Sequence, residues 1–250
     1  NAELYGFLVE ADTAAIQAHV CDALFNRPSG GAVDFVPFGG MAMLAFDRLP
    51  HMIATTPPWD ARGWFTETEA ALWVLLEERR SGELYWTLPY IFVDNGYAIA
   101  TGREIYGFPK TQATLQFPHA PARASFLGTQ TIVVPQFTAY TQAVWKPVWW
   151  AQLVDDADPG GLYGDVVDLA RAVGAVIPEA GGFGGFSAQG CARMWSFLDD
   201  LMKRQVPLVF LKQFRAVDDP SRACFQAITT ANMRLTGFRG GRPLNGSYAV

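Results

Sequence analysis

The sequence predicts a mainly β domain with α insertions, an α+β chain whose strands pair in antiparallel fashion. Three observations support this. Short apolar segments with polar turns between them recur over residues 64–134 and again over 208–235. Pro and Gly punctuate residues 26–60 at many positions, as they do around short strands and tight turns. Longer runs at helical spacing are confined to the N-terminal stretch and to one section, about residues 145–206.

Taken in order, Asp12 and Thr13 can cap a helix that runs to about Phe25, with Ile16, Val20, Ala23 and Leu24 along one stripe. Residues 26–60 hold short apolar runs such as 40–46 and read as short strands and turns. Residues 64–76 read as a strand and 84–93 as its partner, with the polar 77–82 segment as their turn. Asp94-Asn95-Gly96 breaks the chain before residues 98–106, a short helix or a turn. Residues 111–117 alternate polar and apolar side chains, and 124–134 and 136–144 read as further strands. Helical spacing returns at 163–176, through Val167, Ala170 and Val173, and at 188–205, through Trp195, Leu198, Leu201 and Met202. The glycine run 181–185 between them lacks a following Lys-Ser/Thr, so it reads as a connection and not as a phosphate loop. Strands resume at 208–216 and 223–235 around the turn-like Asp218-Asp219-Pro220-Ser221. No internal repeat is visible, and residues 1–250 read as one domain with a helical insertion at about 145–206.

Composition narrows the function classes. Half of the 250 residues are hydrophobic, so the chain can bury a sizeable core. Only 17% are charged, and eight Trp with eighteen Phe point to subunit contacts as well, so a homo-oligomer is expected. A net charge of −5 without a basic stripe argues against a nucleic-acid partner. The longest apolar stretches, such as 84–93, fall short of the roughly 20 residues a membrane-spanning helix needs. Cys21, Cys191 and Cys224, with His19, His51 and His119, show no zinc-ligand spacing and read as reduced thiols and isolated imidazoles. No secretory leader is visible, and a cytoplasmic protein without metal or organic cofactor is expected.

Lys110 is the residue with chemical promise. It lies in Tyr106-Gly107-Phe108-Pro109-Lys110-Thr111, where a rigid proline among aromatic neighbours meets the start of a strand. Burial there disfavours the ammonium and lowers the lysine pKa. A neutral amine condenses with ketones to an imine, and the iminium is an electron sink. The same segment also fits a snorkelling lysine whose stem packs on the core. The aromatic run Trp145-Lys146-Pro147-Val148-Trp149-Trp150 can stack a ligand or fill a core, and Arg234, Arg239 and Arg242 can meet an anion or solvent.

Residues 93–110 (VDNGYAIATGREIYGFPK) resemble the active-site signature of the acetoacetate decarboxylase family, in which Gly-Arg-Glu leads to a Pro-Lys pair. Residues 64–70 (WFTETEA) are similar to that family's Tyr-Thr-Glu segment, and 211–227 (LKQFRAVDDPSRACFQA) to its late strand pair. The resemblance implies that Lys110 forms the imine and that Glu67, with Glu69 as the alternative, assists proton transfer. It implies antiparallel strands closing into a cone or barrel whose apolar interior holds the lysine. Arg103 would hold a substrate carboxylate or, with Glu104, brace the loop that presents Lys110, and Phe108 would line the substrate site. The expected function is a Schiff-base lyase acting on a small carbonyl substrate. A β-keto-acid decarboxylase is slightly favoured, with an aldolase-dehydratase or a non-catalytic binding protein for a hydrophobic ligand as alternatives. Thr111 stands where the family usually carries a second lysine, which leaves burial to depress the pKa of Lys110.

Overall fold

Among the described residues, ten strands make up most of the structure. The computed structural model describes residues 3–118, 126–155, 199, 205–234 and 245–249. β1 (Glu3–Glu10) leads into α1 (Thr13–Ile16), which continues as a wider π-type helix over Gln17–Asn26. Asp12 caps it as expected, its Oδ1 accepting from the amide of Ala14 at 2.8 Å, and Ile16, Val20, Cys21 and Phe25 are buried. β2 (Phe35–Ile53), β3 (Trp64–Glu78) and β4 (Glu83–Val93) form a meander, and α2 (Gly96–Thr101) continues as a π-type turn over Gly102–Tyr106. β5 (Lys110–Gln116), β6 (Phe126–Val133), β7 (Val144–Asp155), β8 (Gln205–Arg215), β9 (Ala223–Arg234) and β10 (Asn245–Ala249) complete the order.

The strands build one curled sheet in the order β1-β2-β3-β4-β5-β6-β7-β10, a half-barrel, with β8 and β9 branching from β4. All pairings are antiparallel but two. β4 meets β5 in parallel at Ile91–Lys110 to Val93–Gln112, and meets β8 in parallel at Trp86–Leu208. Because β3 fills the other edge of β4, β5 and β8 share the remaining one, and the sheet forks there. The parallel β4–β5 joint follows from α2, which carries the chain back before β5 begins.

Three expectations need correction. Residues 26–60 were expected to hold several short strands, yet β2 runs unbroken for 19 residues. Its glycines and Pro50 are absorbed as irregularities, with register shifts between Pro37 and Ala42 and between Leu49 and Met52. Residues 136–144 form no strand up to Val144. Thr138 and Thr141 donate to the carbonyls of Gln136 and Thr138, and Phe137 and Tyr140 are fully exposed, so the apolar pattern there did not report burial. β7 occupies Val144–Asp155, so the section expected to be helical from 145 begins as a strand. The expected helices at 163–176 and 188–205, the glycine run 181–185, Cys191, His119, Arg239 and Arg242 lie outside the described residues, save for residues 199 and 205. β1 and β10 were not anticipated.

Alternation along β2 and β3 sorts the core onto two faces. One face carries Ala45, Ala71, Trp73, Leu75, Ile91 and Val93 against Val206, Leu208 and Phe210 of β8. The other carries Phe7, Leu44, Phe46 and Ala70 against Leu127, Trp149 and Ala151. Farther along that second face, Ala42, Val74 and Leu76 receive Ile16, Val20 and Phe25 of the first helix. Trp149 therefore fills a core, edge-on to Phe92 at 4.7 Å, while Trp145 and Trp150 of the same run stay half exposed. Among the described residues, no helix is long and apolar enough to cross a membrane.

Candidate active site

The first face of the sheet is apolar from Leu75 to Ala71 and then turns acidic. Glu69 and Glu67 follow Ala71 at two-residue spacing on β3, so their side chains continue the same face. Asp47 extends Ala45 on β2 in the same way and stands opposite Glu69 in the register. All three carboxyls are buried, with 2% of Glu67, 3% of Asp47 and 7% of Glu69 exposed. Lys110, the first residue of β5, pairs with Ile91 of β4 and is 4% exposed. Its Nζ donates to Glu67 Oε1 at 2.7 Å and Oε2 at 2.6 Å, and lies 3.9 Å from Glu69 Oε2.

The local sequence explains this geometry. Asp94 Oδ1 accepts from the amide of Thr68 at 2.9 Å, and Asn95 Nδ2 donates to the carbonyl of Thr66 at 2.7 Å. These two bonds flank Glu67 and tie its backbone to the start of α2. Asn95 also caps that helix, its Oδ1 accepting from the amide of Tyr97 at 2.9 Å. Gly102 then passes directly over the lysine stem. A Cβ at that position would sit 2.9 Å from Lys110 Cδ and 3.3 Å from Cε. Its backbone is ordinary right-handed helix, φ −62°, so the glycine is required for space and not for conformation. Gly107 is required for both: φ is +80°, and a Cβ there would sit 2.8 Å from Lys212 Cα on β8.

Phe108 fills the fork between β5 and β8. Its ring stacks on Tyr106 at 5.0 Å and packs on Phe210 at 4.3 Å, with Lys110 Nζ 5.7 Å from its centroid. Arg103 is exposed, and its Nη1 donates to the carbonyl of Lys110 at 3.2 Å, which is a brace on the strand end. Glu104 is exposed beside it, and Arg234 is exposed at the end of β9. The structure thus brings Lys110, Glu67, Glu69 and Phe108 together and puts Arg103 on the lysine backbone. Sequence reasoning missed Asp47. The signal was an acid in phase with Ala45 inside the otherwise apolar run 41–47.

Beside the apolar neighbours and the carboxylate expected of it, the lysine meets a cluster of carboxyls. Removing four ionisable groups from water is expensive unless charges are paired or neutralised. Lys110 and Glu67 satisfy each other as an ion pair. Burial and the charge of Glu67 push the Asp47 carboxyl up to about 8. Burial likewise holds Glu69 well above the usual carboxylate range, reinforced by the charge of Glu67 and a hydrogen bond to it, and opposed by Lys110. Both raised acids are thus biased toward their protonated forms beside the ion pair. The cluster can accept a proton at one carboxylate and donate from the others.

A groove bordered by Ala32, Arg80, Ser81 and Tyr85 lies at the far end of β3, beside its turn into β4. Glu78 on its rim is eleven residues from Glu67, about 35 Å along an extended strand, so the groove is separate from the lysine. Among the described residues, no group of His, Cys, Asp and Glu is arranged to hold a metal ion.

No family model matches the chain. No curated protein matches it either. Solved structures do. Acetoacetate decarboxylase from Legionella pneumophila superposes with a TM-score of 0.60 at 18% identity, over 100% of this chain and 71% of that one. An acetoacetate decarboxylase-like enzyme from Sphingomonas wittichii gives 0.53 at 14%, over 100% and 77%. The enduracididine biosynthesis enzyme MppR, solved with the condensation product of pyruvate and imidazole 4-carboxaldehyde, gives 0.51 at 12%, over 99% and 74%. The strand order, the curled sheet and these superpositions agree: the chain has the acetoacetate decarboxylase-like fold.

Proposed function

We propose that this chain is a carbon–carbon lyase that binds a small keto acid or hydroxy-ketone as an imine on Lys110. The observation that carries the reading is the buried Lys110–Glu67 pair at 2.6 Å, with a third group, Glu69, 3.9 Å away. A buried lysine kept only for packing needs no such company, because the pair and its neighbours cost desolvation that apolar residues would avoid. The fold neighbours act as support. They include an acetoacetate decarboxylase and an acetoacetate decarboxylase-like enzyme, and MppR was solved with a condensation product of pyruvate and an aldehyde.

The chemistry follows from the positions. Proton transfer from Lys110 to Glu67, across 2.6 Å, frees the amine as a nucleophile. Attack on a ketone and loss of water, with the proton returned by Glu67, leave an iminium. Carbon dioxide or an aldehyde then departs and leaves the enamine, or loss of an α-proton gives the enamine and hydroxide leaves its β-carbon, and hydrolysis releases the product. Glu67 would serve as the base and acid at the imine, and Phe108 would keep water from one side of it. A non-catalytic hydrophobic-ligand protein is the second reading, favoured only by the apolar wall of Trp73, Ile91 and Phe210.

The test is borohydride reduction in the presence of β-keto acids and hydroxy-ketones, read by intact mass and by peptide mapping. An adduct that maps to Lys110 and is absent from Lys110→Ala supports the lyase. Folded protein that gives no adduct with any of these carbonyls supports the binding protein.

A further inference from the structure

One proton acceptor suffices for imine chemistry, yet two carboxyls lie within 4 Å of Lys110 Nζ and a third stands across from one of them. Asp47 is the unexplained member. It is 97% buried, and its Oδ1 has no hydrogen-bond partner. It stands directly across from Glu69, whose carboxyl in turn hydrogen-bonds that of Glu67. Cross-strand partners hold their Cβ atoms about 5 Å apart, so the two acid side chains stand side by side on the face that carries Glu67.

We propose that Glu69, in a buried acid pair with Asp47, protonates the oxygen leaving the β-carbon of a Lys110-bound substrate, so that the site takes β-hydroxy carbonyl compounds without a carboxylate. The inference rests on the Schiff-base reading and selects among its substrates. A departing carbon dioxide needs no proton donor, whereas a departing hydroxide does. The charges agree. Of the described residues, Arg103 is bonded to the Lys110 carbonyl, and Arg48 points to the opposite face of β2, to Glu3 at 3.2 Å and the Phe117 carbonyl. A substrate carboxylate would therefore enter beside the carboxyls of Glu67 and Glu69, next to a lysine that is already paired. The remaining register partners at the pair, Leu4 on β1 and Val93 on β4, do not ionise.

The step balances. Glu67, as carboxylate, takes a proton from the α-carbon of the iminium, giving an enamine and protonated Glu67. The β-carbon–oxygen bond breaks as Glu69 donates its proton, so water leaves and a conjugated iminium remains. The proton on Glu67 passes along their hydrogen bond to Glu69, and hydrolysis of the iminium releases an enone and restores Lys110. Asp47 is a positioning residue in this scheme. By remaining neutral across from Glu69, it keeps a second negative charge out of the site.

The experiment compares diacetone alcohol with acetoacetate on wild type, Glu69→Gln and Asp47→Asn. Enone formation and borohydride-trapped adduct are both read from pH 6 to about 9.5. Wild type should dehydrate diacetone alcohol and trap it at least tenfold better than acetoacetate. Glu69→Gln should lose about a hundredfold in enone formation while retaining the trapped adduct, which shows that the site is still assembled. Asp47→Asn should change the shape of the pH profile, losing the decline in enone formation that wild type shows as Asp47 ionises. No adduct on wild type with either compound would remove the Schiff-base reading itself. Adduct formation with acetoacetate trapped as well as diacetone alcohol, or an unchanged enone rate in Glu69→Gln, would overturn the acid pair and leave the imine chemistry standing.

Discussion

Gly102 has no conformational reason to be glycine, and that makes its replacement informative. Alanine in a helical interior is ordinarily worth about 1 kcal/mol over glycine. Here the new Cβ would lie 2.9 Å from Lys110 Cδ, where carbon atoms prefer about 3.5–4.0 Å. The stem must move by more than half an ångström, and its end is held at two points by Glu67. Overpacking of this kind costs about 1–3 kcal/mol, which exceeds the helical gain. Gly102→Ala should therefore be less stable than the parent, by up to about 2 kcal/mol, and should form the Lys110 adduct more slowly. Urea unfolding at neutral pH gives the first quantity and timed borohydride trapping the second. A variant that is more stable by about 1 kcal/mol, with trapping unchanged, would show that the glycine does not confine the lysine.

Three other substitutions bear on the same loop and cluster. Gly107→Ala meets both a left-handed backbone and the Lys212 main chain, so it should cost more than Gly102→Ala, about 2–4 kcal/mol in urea unfolding. Asn95→Ala removes the cap of α2 and the bond to Thr66, and should cost about 1–2 kcal/mol, whereas Asn95→Asp keeps the cap and should cost less. The raised Asp47 carboxyl makes the folded protein bind more protons than the unfolded chain between its ordinary value, 3.8, and about 8. Stability is therefore greatest at the acid end of that window and falls as pH rises through it, by about 1 kcal/mol per unit. Unfolding midpoints measured from pH 5 to 8.5 should show this slope in wild type and a shallower one in Asp47→Asn.

The parts that could be read from the sequence were those with local causes. β3 and β4 follow from alternation around a polar turn, and the first helix from Asp12 and its apolar stripe. Lys110, Glu67 and Glu69 were visible because the chain segments that hold them are continuous and resemble a known signature. β2 was not, because a glycine pair and a proline look like strand breaks until partners on both sides hold the strand together. Asp47 was hidden for a related reason. Its importance comes from standing opposite Glu69, and a register between residues 22 positions apart leaves no local trace. Arg103 kept two readings in the sequence, and a single bond to the Lys110 carbonyl decides where its side chain is held.

The fork in the sheet also has a bearing on evolution. β5 and β8 compete for one edge of β4, and the 102–108 turn fills the gap between them through Gly107 against Lys212 and Phe108 against Phe210. The lysine's loop is thus the hinge pin of the scaffold as well as the carrier of the proposed imine site. Descendants of such a protein can change the opposing walls freely, but each alteration in this stretch must first satisfy the assembly of the sheet. Under the proposed function, chemistry can drift through Asp47 and Glu69 on β2 and β3, while Lys110 stays fixed where the 102–108 turn joins the sheet.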